Sequence, residues 1–401
     1  MKIRDVRVTP VSVPVQAPLR YSTGSDSAIH RLVVEVETDQ GLVGLGECNA
    51  GVAREARLRE SIPLIIGADP FNTERLRWQI GAPAEAKLFG SVNHTFAAIE
   101  FACLDIQGQV AGRPVHDLLG GRVRDHIPLI AYLFYRYANQ DGTGAIDNAE
   151  AMVDFAQQVV HQYGFETVKF KAGVLPPEQE VEAILALRRT FPHHRLRVDP
   201  NAAWSVSTTL RLAHKLRDCD LEYLEDPTWG LRGMSRVNAK CPWLPLASNM
   251  AVATSEDLAP MACLDAVDVL LVDPHFYGGL RQARYVGAAL ELLNVDVALH
   301  SQGELGISMA AQLHLAACLP TLTHAADAHY HHLTDDIIEG GKLAHIRGGM
   351  QVPTGPGLGV KLDRDKLMKY HELARKIQTV AQTSILGDAS AVEHLPILPR
   401  W

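Results

Sequence analysis

Thr167-Val168-Lys169-Phe170-Lys171-Ala172-Gly173 has the alternation of a short strand. Successive strand side chains point to opposite faces, so Thr167, Lys169 and Lys171 share one side and Val168 and Phe170 take the other. Two lysines therefore stand side by side. On an exposed edge such a pair only discourages strand-to-strand aggregation. Inside a closed parallel barrel each ammonium raises the cost of protonating its neighbour, which lowers at least one pKa toward the range of a general base. The flanking sequence decides between these readings.

From Asp125 onward, β-branched or leucine-rich runs alternate with amphipathic helices. In the helix from about Ala149, Asn148 is placed as cap, Met152, Phe155, Ala156, Val159 and Val160 form one stripe, and Gly164 is available as a stop. Strands are expected near 127–133, 167–171, 196–199, 221–225, 244–248, 267–272, 295–300 and 322–327. Eight strands with helices between them read as a TIM-type α/β barrel rather than an open doubly wound sheet, and no Gly-rich phosphate loop opens the unit.

Before the barrel, Ile3–Val15, Arg31–Glu37 and Leu42–Glu47 alternate apolar and polar positions, and Asp39-Gln40-Gly41 is a hairpin signal. An antiparallel meander is expected. The small polar stretch Tyr21–Ser27 reads as a plain connection, with a flap over a site as the alternative. Residues 52–119 read as helices, the clearest being His94–Val110, ended by Gly112-Arg113-Pro114. The expected division is an α+β unit over 1–124 and a barrel over 125–349.

Composition is that of an ordinary globular protein, with 38 basic against 46 acidic residues, a net charge of −8, and no basic block. Nucleic acid is thereby an unfavoured partner. No apolar run has signal-peptide or membrane-spanning length, and Cys48, Cys103, Cys219, Cys241, Cys263 and Cys318 show no CxxC spacing. A reducing cytoplasm is the expected location.

At the strand ends stand Lys171, Asp199, Glu225, Asn249, Asp273 and His300, separated by 28, 26, 24, 24 and 27 residues by subtraction. That is about one strand-helix unit per step, and the carboxyl ends of barrel strands converge on one face. Singly, Asp199, Glu225 and Asp273, each before or near a proline, read as turn residues, and His300 as a helix cap. Six in register read as a site. Asp199, Glu225 and Asn249 offer three oxygens, a hard set suited to Mg²⁺. Lys171 and His300 would flank a substrate held there, and Asp273 is placed to accept an imidazole N–H from His300. Such a set implies removal of a proton next to a carboxylate, with the enediolate charge stabilised by the metal and Lys169.

These stretches resemble the enolase superfamily, and within it the glucarate dehydratases. The matching residues are Lys169-Phe170-Lys171, Val198-Asp199-Pro200-Asn201, Glu225-Asp226-Pro227, Ser248-Asn249-Met250, Val272-Asp273-Pro274-His275-Phe276 and His300-Ser301. Tyr132-Leu133-Phe134, Asp327-Ala328-His329-Tyr330 and Gly355–Val360 match as well. Asn249 is the most discriminating, since most of the superfamily resembles a carboxylate pattern there. The resemblance covers essentially the whole chain. It implies a modified (β/α)7β barrel, with the α+β cap completed by the C-terminal segment 350–401.

By the same resemblance, Lys171 and His300 are bases on opposite faces of the carbon beside the carboxylate, and Lys169 polarises that carboxylate. His300, backed by Asp273, also helps the β-hydroxyl leave as water, giving a 2-keto-3-deoxy acid sugar. Asn201, Tyr132, Phe134, Ser301 and His329 are the implied substrate contacts. Mg²⁺ is the implied cofactor, with Mn²⁺ as substitute, an acid sugar the partner, and a homo-oligomer the usual assembly. The chain departs from the pattern where specificity is set. Tyr21–Ser27 holds no histidine, Gln302 replaces an asparagine, the insertion from Arg136 to Asp147 is short, and no arginine stands near Leu386-Gly387-Asp388. A racemase or epimerase, or a non-catalytic acid-sugar-binding paralogue, are the alternatives to the dehydratase.

Overall fold

The computed structural model describes residues 1–81, 92–381 and 398–401. Strands β1 (Ile3–Tyr21), β2 (Gly24–Thr38) and β3 (Val43–Asn49) form the antiparallel meander that the alternation predicts. The helix Val92–Ala111 lies directly on β3. Gly44 and Gly46 permit that approach, because a Cβ at either position would sit 2.0 Å from Ala102 O or 1.8 Å from Ala98 O. Leu32, Val34 and Val36 fill a cap core with Phe96, Ile99 and Cys103 from this helix.

The reading of Tyr21–Ser27 as a plain loop is corrected. Strands β1 and β2 run on through it, with Tyr21 paired to Gly24, and only Ser22 and Thr23 make the turn. The hairpin is held across its strands by Tyr21 Oη donating to Asp26 at 3.1 Å, and its tip reaches the barrel. Ser22 Oγ donates to Asn201 O at 3.2 Å, and Asn201 Nδ2 donates to Ser22 Oγ at 2.9 Å. Small polar residues misled here because their partners lie about 180 positions away in sequence.

The first barrel run divides at Leu129. Strand β4 (His126–Pro128) pairs antiparallel with a late strand at Gly349–Gln351, while β5 (Ile130–Phe134) joins the barrel. Strands β6 (Thr167–Lys171), β7 (Arg195–Asp199), β8 (Tyr223–Glu225), β9 (Leu246–Ser248), β10 (Val269–Val272) and β11 (Asp296–Leu299) follow in order, each parallel to the one before. The helix Ala149–Tyr163 has the expected ends, with Asn148 accepting from Ala151 N at 3.0 Å and Gly164 left-handed at φ 76°.

The eighth strand is the second correction. Residues 322–327 run beside β11 and meet Leu129 by isolated bridges, with Ala326 N donating to Pro128 O at 2.8 Å and Asp327 N to Leu299 O at 3.0 Å. They close the curled sheet without forming a regular strand. The sequence there, Leu-Thr-His-Ala-Ala, is short of the β-branched and aromatic residues that favour a ladder. The helix Arg364–Ala381 then returns to β1, burying Leu367, Tyr370 and Ala374 and placing His371 Nδ1 2.7 Å from Pro10 O. The position near Leu386-Gly387-Asp388 lies outside the described residues. No helix among the described residues is long and apolar enough to cross a membrane.

Candidate active site

Parallel register sets the site in layers. Tyr132 pairs with Lys169 and Lys169 with Arg197, while Phe134 pairs with Lys171 and Lys171 with Asp199. Val168 and Phe170 turn outward into the core under the helices, which leaves both lysines inside the barrel. Lys169 is fully buried, its Nζ bonded to Asp327 Oδ2 and Glu225 Oε2 and 3.6 Å from Asp199 Oδ2. Lys171 Nζ donates to Asp199 Oδ2 at 2.6 Å and to Asn201 Oδ1 at 2.9 Å. Lys169 does not show the depression that a neighbouring ammonium by itself would cause. Burial pulls its pKa down, but Asp327, Glu225, Tyr132 and Asp199 together hold it well above the ordinary lysine value. The carboxylates come from three other parts of the barrel, and they outweigh the neighbouring ammonium. On Asp199 the balance runs the same way, because burial is overcome by Lys171 and Lys169 and the carboxyl falls to about 2.

Asp199 and Glu225 end β7 and β8, Asn249 directly follows β9, and all three are buried. One end of the Asn249 amide lies 3.2 Å from Glu225 Oε1 and 3.1 Å from Asp226 Oδ2. With its nitrogen there the amide donates to both, whereas with its oxygen there it faces carboxylate oxygens that a cation or a carboxyl proton would bridge. Asp226, in turn, is fixed by Ser248 Oγ and by the backbone N–H groups of Asn249 and Met250. Among the described residues no three His, Cys, Asp or Glu side chains gather into a metal cluster. A cation held between Asp199, Glu225 and Asn249 would draw on the amide oxygen as well as the two carboxylates. Two carboxylates and an amide fit Mg²⁺ by donor hardness, and nothing soft competes.

Asp273 is wholly buried and is surrounded by donors. His300 Nδ1 lies 2.9 Å from its Oδ2, and Gln302 Nε2 donates to the same oxygen at 2.5 Å. His275 Nδ1 lies 3.0 Å from Oδ1, and His275 N donates there at 2.8 Å. Burial raises the Asp273 pKa, but these bonds win and hold it well below the usual carboxylate range. An ionised Asp273 fixes the proton of His300 on Nδ1 and leaves Nε2 as the exchanging nitrogen. The His300 ring stacks on Phe276, with centroids 5.4 Å apart.

Across the mouth, Tyr132, Phe134 and His329 form an aromatic group with centroids 4.5 to 5.2 Å apart, and Tyr132 Oη donates to Asp199 Oδ2 at 3.3 Å. Ser301 Oγ lies 2.8 Å from His329 Nδ1. Burial, then Lys171 and His300, hold His329 well below the ordinary imidazole value, so it is neutral and lies in the field of both candidate bases. The structure thus brings together all twelve side chains that the sequence points to. Asp327 was quoted only as part of a matching stretch, yet it grips Lys169. It stands 27 residues after His300 (327 − 300), the same step as from Asp273 to His300, so the spacing rule extended once more reaches it.

The chain matches the mandelate racemase/muconate lactonizing enzyme N-terminal domain over residues 3–120 and the enolase C-terminal domain-like family over 151–366. The protein belongs to the enolase superfamily. A probable glucarate dehydratase of Streptomyces coelicolor is 36% identical over 100% of this chain and 99% of its own length. An enolase of Thermobispora bispora, solved with magnesium and formate, superposes with a TM-score of 0.92 at 39% identity, covering all of both chains. An enolase of Pseudomonas fluorescens with bound magnesium, potassium and tartrate gives a TM-score of 0.92 at 35% identity, covering 100% of this chain and 99% of its own. This enolase-superfamily enzyme therefore shares its architecture with relatives that hold Mg²⁺ and small carboxylates.

The loop behind Lys171 closes on a buried acid that the sequence did not flag. Glu180, in the first turn of the helix Pro177–Thr190, accepts from the backbone N–H groups of Gly173, Val174 and Leu175 at 2.8 to 3.0 Å. Burial outweighs those bonds and raises its pKa from 4.5 to about 7. A raised acid contributes stability that is full below its unfolded pKa and is lost as pH rises through the folded one. From pH 4.5 to 8 the wild type should thus lose about 3 kcal/mol through this group. Glu180→Gln should flatten that slope, while lowering stability in acid because its nitrogen faces one N–H donor. Thermal melts across pH test this, and an unchanged slope would remove Glu180 as the cause.

Proposed function

We propose that this enzyme is a Mg²⁺-dependent dehydratase of acid sugars, with Mn²⁺ as a working substitute. The observation that carries the reading is the placement of Lys171 on β6 and the His300–Asp273 pair around one oxygen set, Asp199, Glu225 and Asn249. Around the barrel, β7 to β10 separate the two bases on one side, and β5 with the closing segment separates them on the other. The glucarate dehydratase and the tartrate-holding relatives point to the same substrate class.

Mg²⁺ bound by Asp199, Glu225 and Asn249 would neutralise the substrate carboxylate and acidify the carbon beside it. Lys171 or His300, whichever faces that carbon's proton, takes it, and the C–H electron pair passes into an enediolate. The Lys169 ammonium stabilises the oxygen charge. His300 carries a proton on Nε2 at this point, either the one it has just taken or, where Lys171 is the base, one it holds from the outset as an imidazolium paired with Asp273. It gives that proton to the β-hydroxyl as the C–O bond breaks, water leaves, and the enol becomes a 2-keto-3-deoxy acid. Asn201, Tyr132, Phe134, Ser301 and His329 line the space for the sugar chain.

A panel of mono- and diacid sugars assayed for keto-acid product tests the reading. EDTA should abolish turnover, Mg²⁺ or Mn²⁺ should restore it, and Zn²⁺ should serve poorly. Epimer formation without keto-acid would make the enzyme an epimerase, and full activity in chelator would remove the metal assignment.

A further inference from the structure

The loops after β6 and β7 carry or adjoin Lys171, Asp199 and Asn201, and they meet without slack. Gly173 is left-handed at φ 81°, and a Cβ there would lie 2.3 Å from Pro200 O and 2.8 Å from Ala203 Cβ. Ala172 N donates to Asp199 O at 2.9 Å. The next turn is strained, since Asn201 and Ala202 both have positive φ, 51° and 60°. Side-chain-bearing residues keep that conformation only where their surroundings over-determine it.

Part of what fixes the turn comes from the far end of the sequence. Arg400 N and Trp401 N both donate to Ala203 O, at 2.7 and 2.8 Å, and Ser205 N donates to Trp401 O at 2.5 Å. Arg400 Nη1 donates to Val174 O at 3.2 Å, which ties the other loop to the same segment. The Arg400 guanidinium lies 4.6 Å over the Trp401 ring, and the Leu398 and Trp401 side chains pack on the main core. From the barrel side, Asn201 N donates to Asp199 Oδ1, Ala202 N to Asp226 O, and Trp204 N to Pro227 O. Ser22 of the cap holds the Asn201 amide nitrogen and carbonyl, and the turn presents Asn201 Oδ1 to Lys171 Nζ at 2.9 Å.

We propose that Arg400 and Trp401 form a positioning clamp, holding the Asn201–Ala202 turn and the Gly173–Leu175 loop together and so setting Asn201 against the Lys171 amine. The catalytic half of this inference rests on Lys171 being a working base. Among the described residues Arg400 is bonded to no reacting group. It acts through Val174 and Ala203.

The test compares wild type with Arg400→Ala, Arg400→Lys and the double change Arg400→Gly with Trp401→Gly, all in the full chain. Amide exchange should quicken at Ser205 and at Gly173–Leu175 in the double variant while the β6 and β7 strands keep their protection. On an acid sugar that the wild type dehydrates, kcat should fall roughly 10- to 100-fold with KM little changed, and Arg400→Lys should recover most of the loss. Unchanged exchange at Ser205 would overturn the clamp, and loosened exchange with unchanged kcat would overturn its role in positioning. Should the double variant not fold, Arg400→Ala against Arg400→Lys decides by the same readings. If no acid sugar reacts with the wild type, the dehydratase reading falls, while exchange at Ser205 still decides the clamp.

Discussion

Lys171→Ala is expected to stop α-proton exchange for one configuration of the substrate carbon only, and His300→Asn to reduce dehydration of every substrate by about 10²- to 10⁴-fold. The asymmetry follows from the geometry. Lys171 is bonded to Asp199 and Asn201 and has no route to a leaving hydroxyl in the proposed roles, whereas His300 serves as base on one face and as acid for the leaving group. Asp273→Asn gives an internal control. It should mimic part of the His300 loss by unsettling the tautomer, and it should also lower stability, because Asp273 receives bonds from His275 and Gln302 as well. His300→Asn should cost activity with little change in melting. Equal, mild losses from all three changes, followed by deuterium exchange and by keto-acid formation, would remove these roles.

Asn249→Asp is expected to melt at a much lower temperature in chelator and to recover when Mg²⁺ is added. The present amide lies 3.2 Å from Glu225 Oε1 and 3.1 Å from Asp226 Oδ2. A third carboxylate at that distance would meet about 5 kcal/mol of repulsion per charged neighbour at an effective dielectric of about 20, before relaxation or protonation relieves it. The cation removes most of that repulsion, so the variant should hold Mg²⁺ at least as tightly as the wild type. With the third negative charge the occupied site changes from neutral to −1, and an acid-sugar carboxylate should bind more weakly, diacids most of all. Melts with and without Mg²⁺, beside titration of a non-reacting analogue, decide it. Equal melting in chelator, or tighter analogue binding by the variant, would contradict the electrostatic argument.

The residues Lys171, Asp199, Glu225, Asn249, Asp273 and His300 were legible because each closes a repeating strand-helix unit, and a repeat needs no knowledge of distant contacts. Asp327 obeys the same step but follows a segment with weak strand character, so the rule stopped one residue short of it. The Tyr21–Ser27 tip was misread for a different reason. Its conformation depends on Asn201, and local propensity carries no information about that partner. The charge state of Lys169 was out of reach for a third reason, since spacing shows its pairing with Lys171 while Asp327, Glu225 and Asp199 arrive from other strands. Periodicity reports which side chains share a face. It does not report the charges that face gathers.

The irregular closure of the barrel has a mechanical consequence. Seven parallel strands form six continuous hydrogen-bonded joints, while residues 322–327 are fastened by isolated bridges to β11 and Leu129. The barrel is therefore a split ring, its backbone paired strand to strand around most of the circumference and joined by single bridges, with side-chain bonds from Arg197, His324 and Asp327, at one seam. A ligand wedged into the mouth would spread the ring at that seam before it displaced β6 or β7. Asp327 sits on the seam with its carboxylate on Lys169, so whatever flexes the ring also changes the grip on that ammonium, while the Lys171–Asp199 joint on the paired arc stays in register.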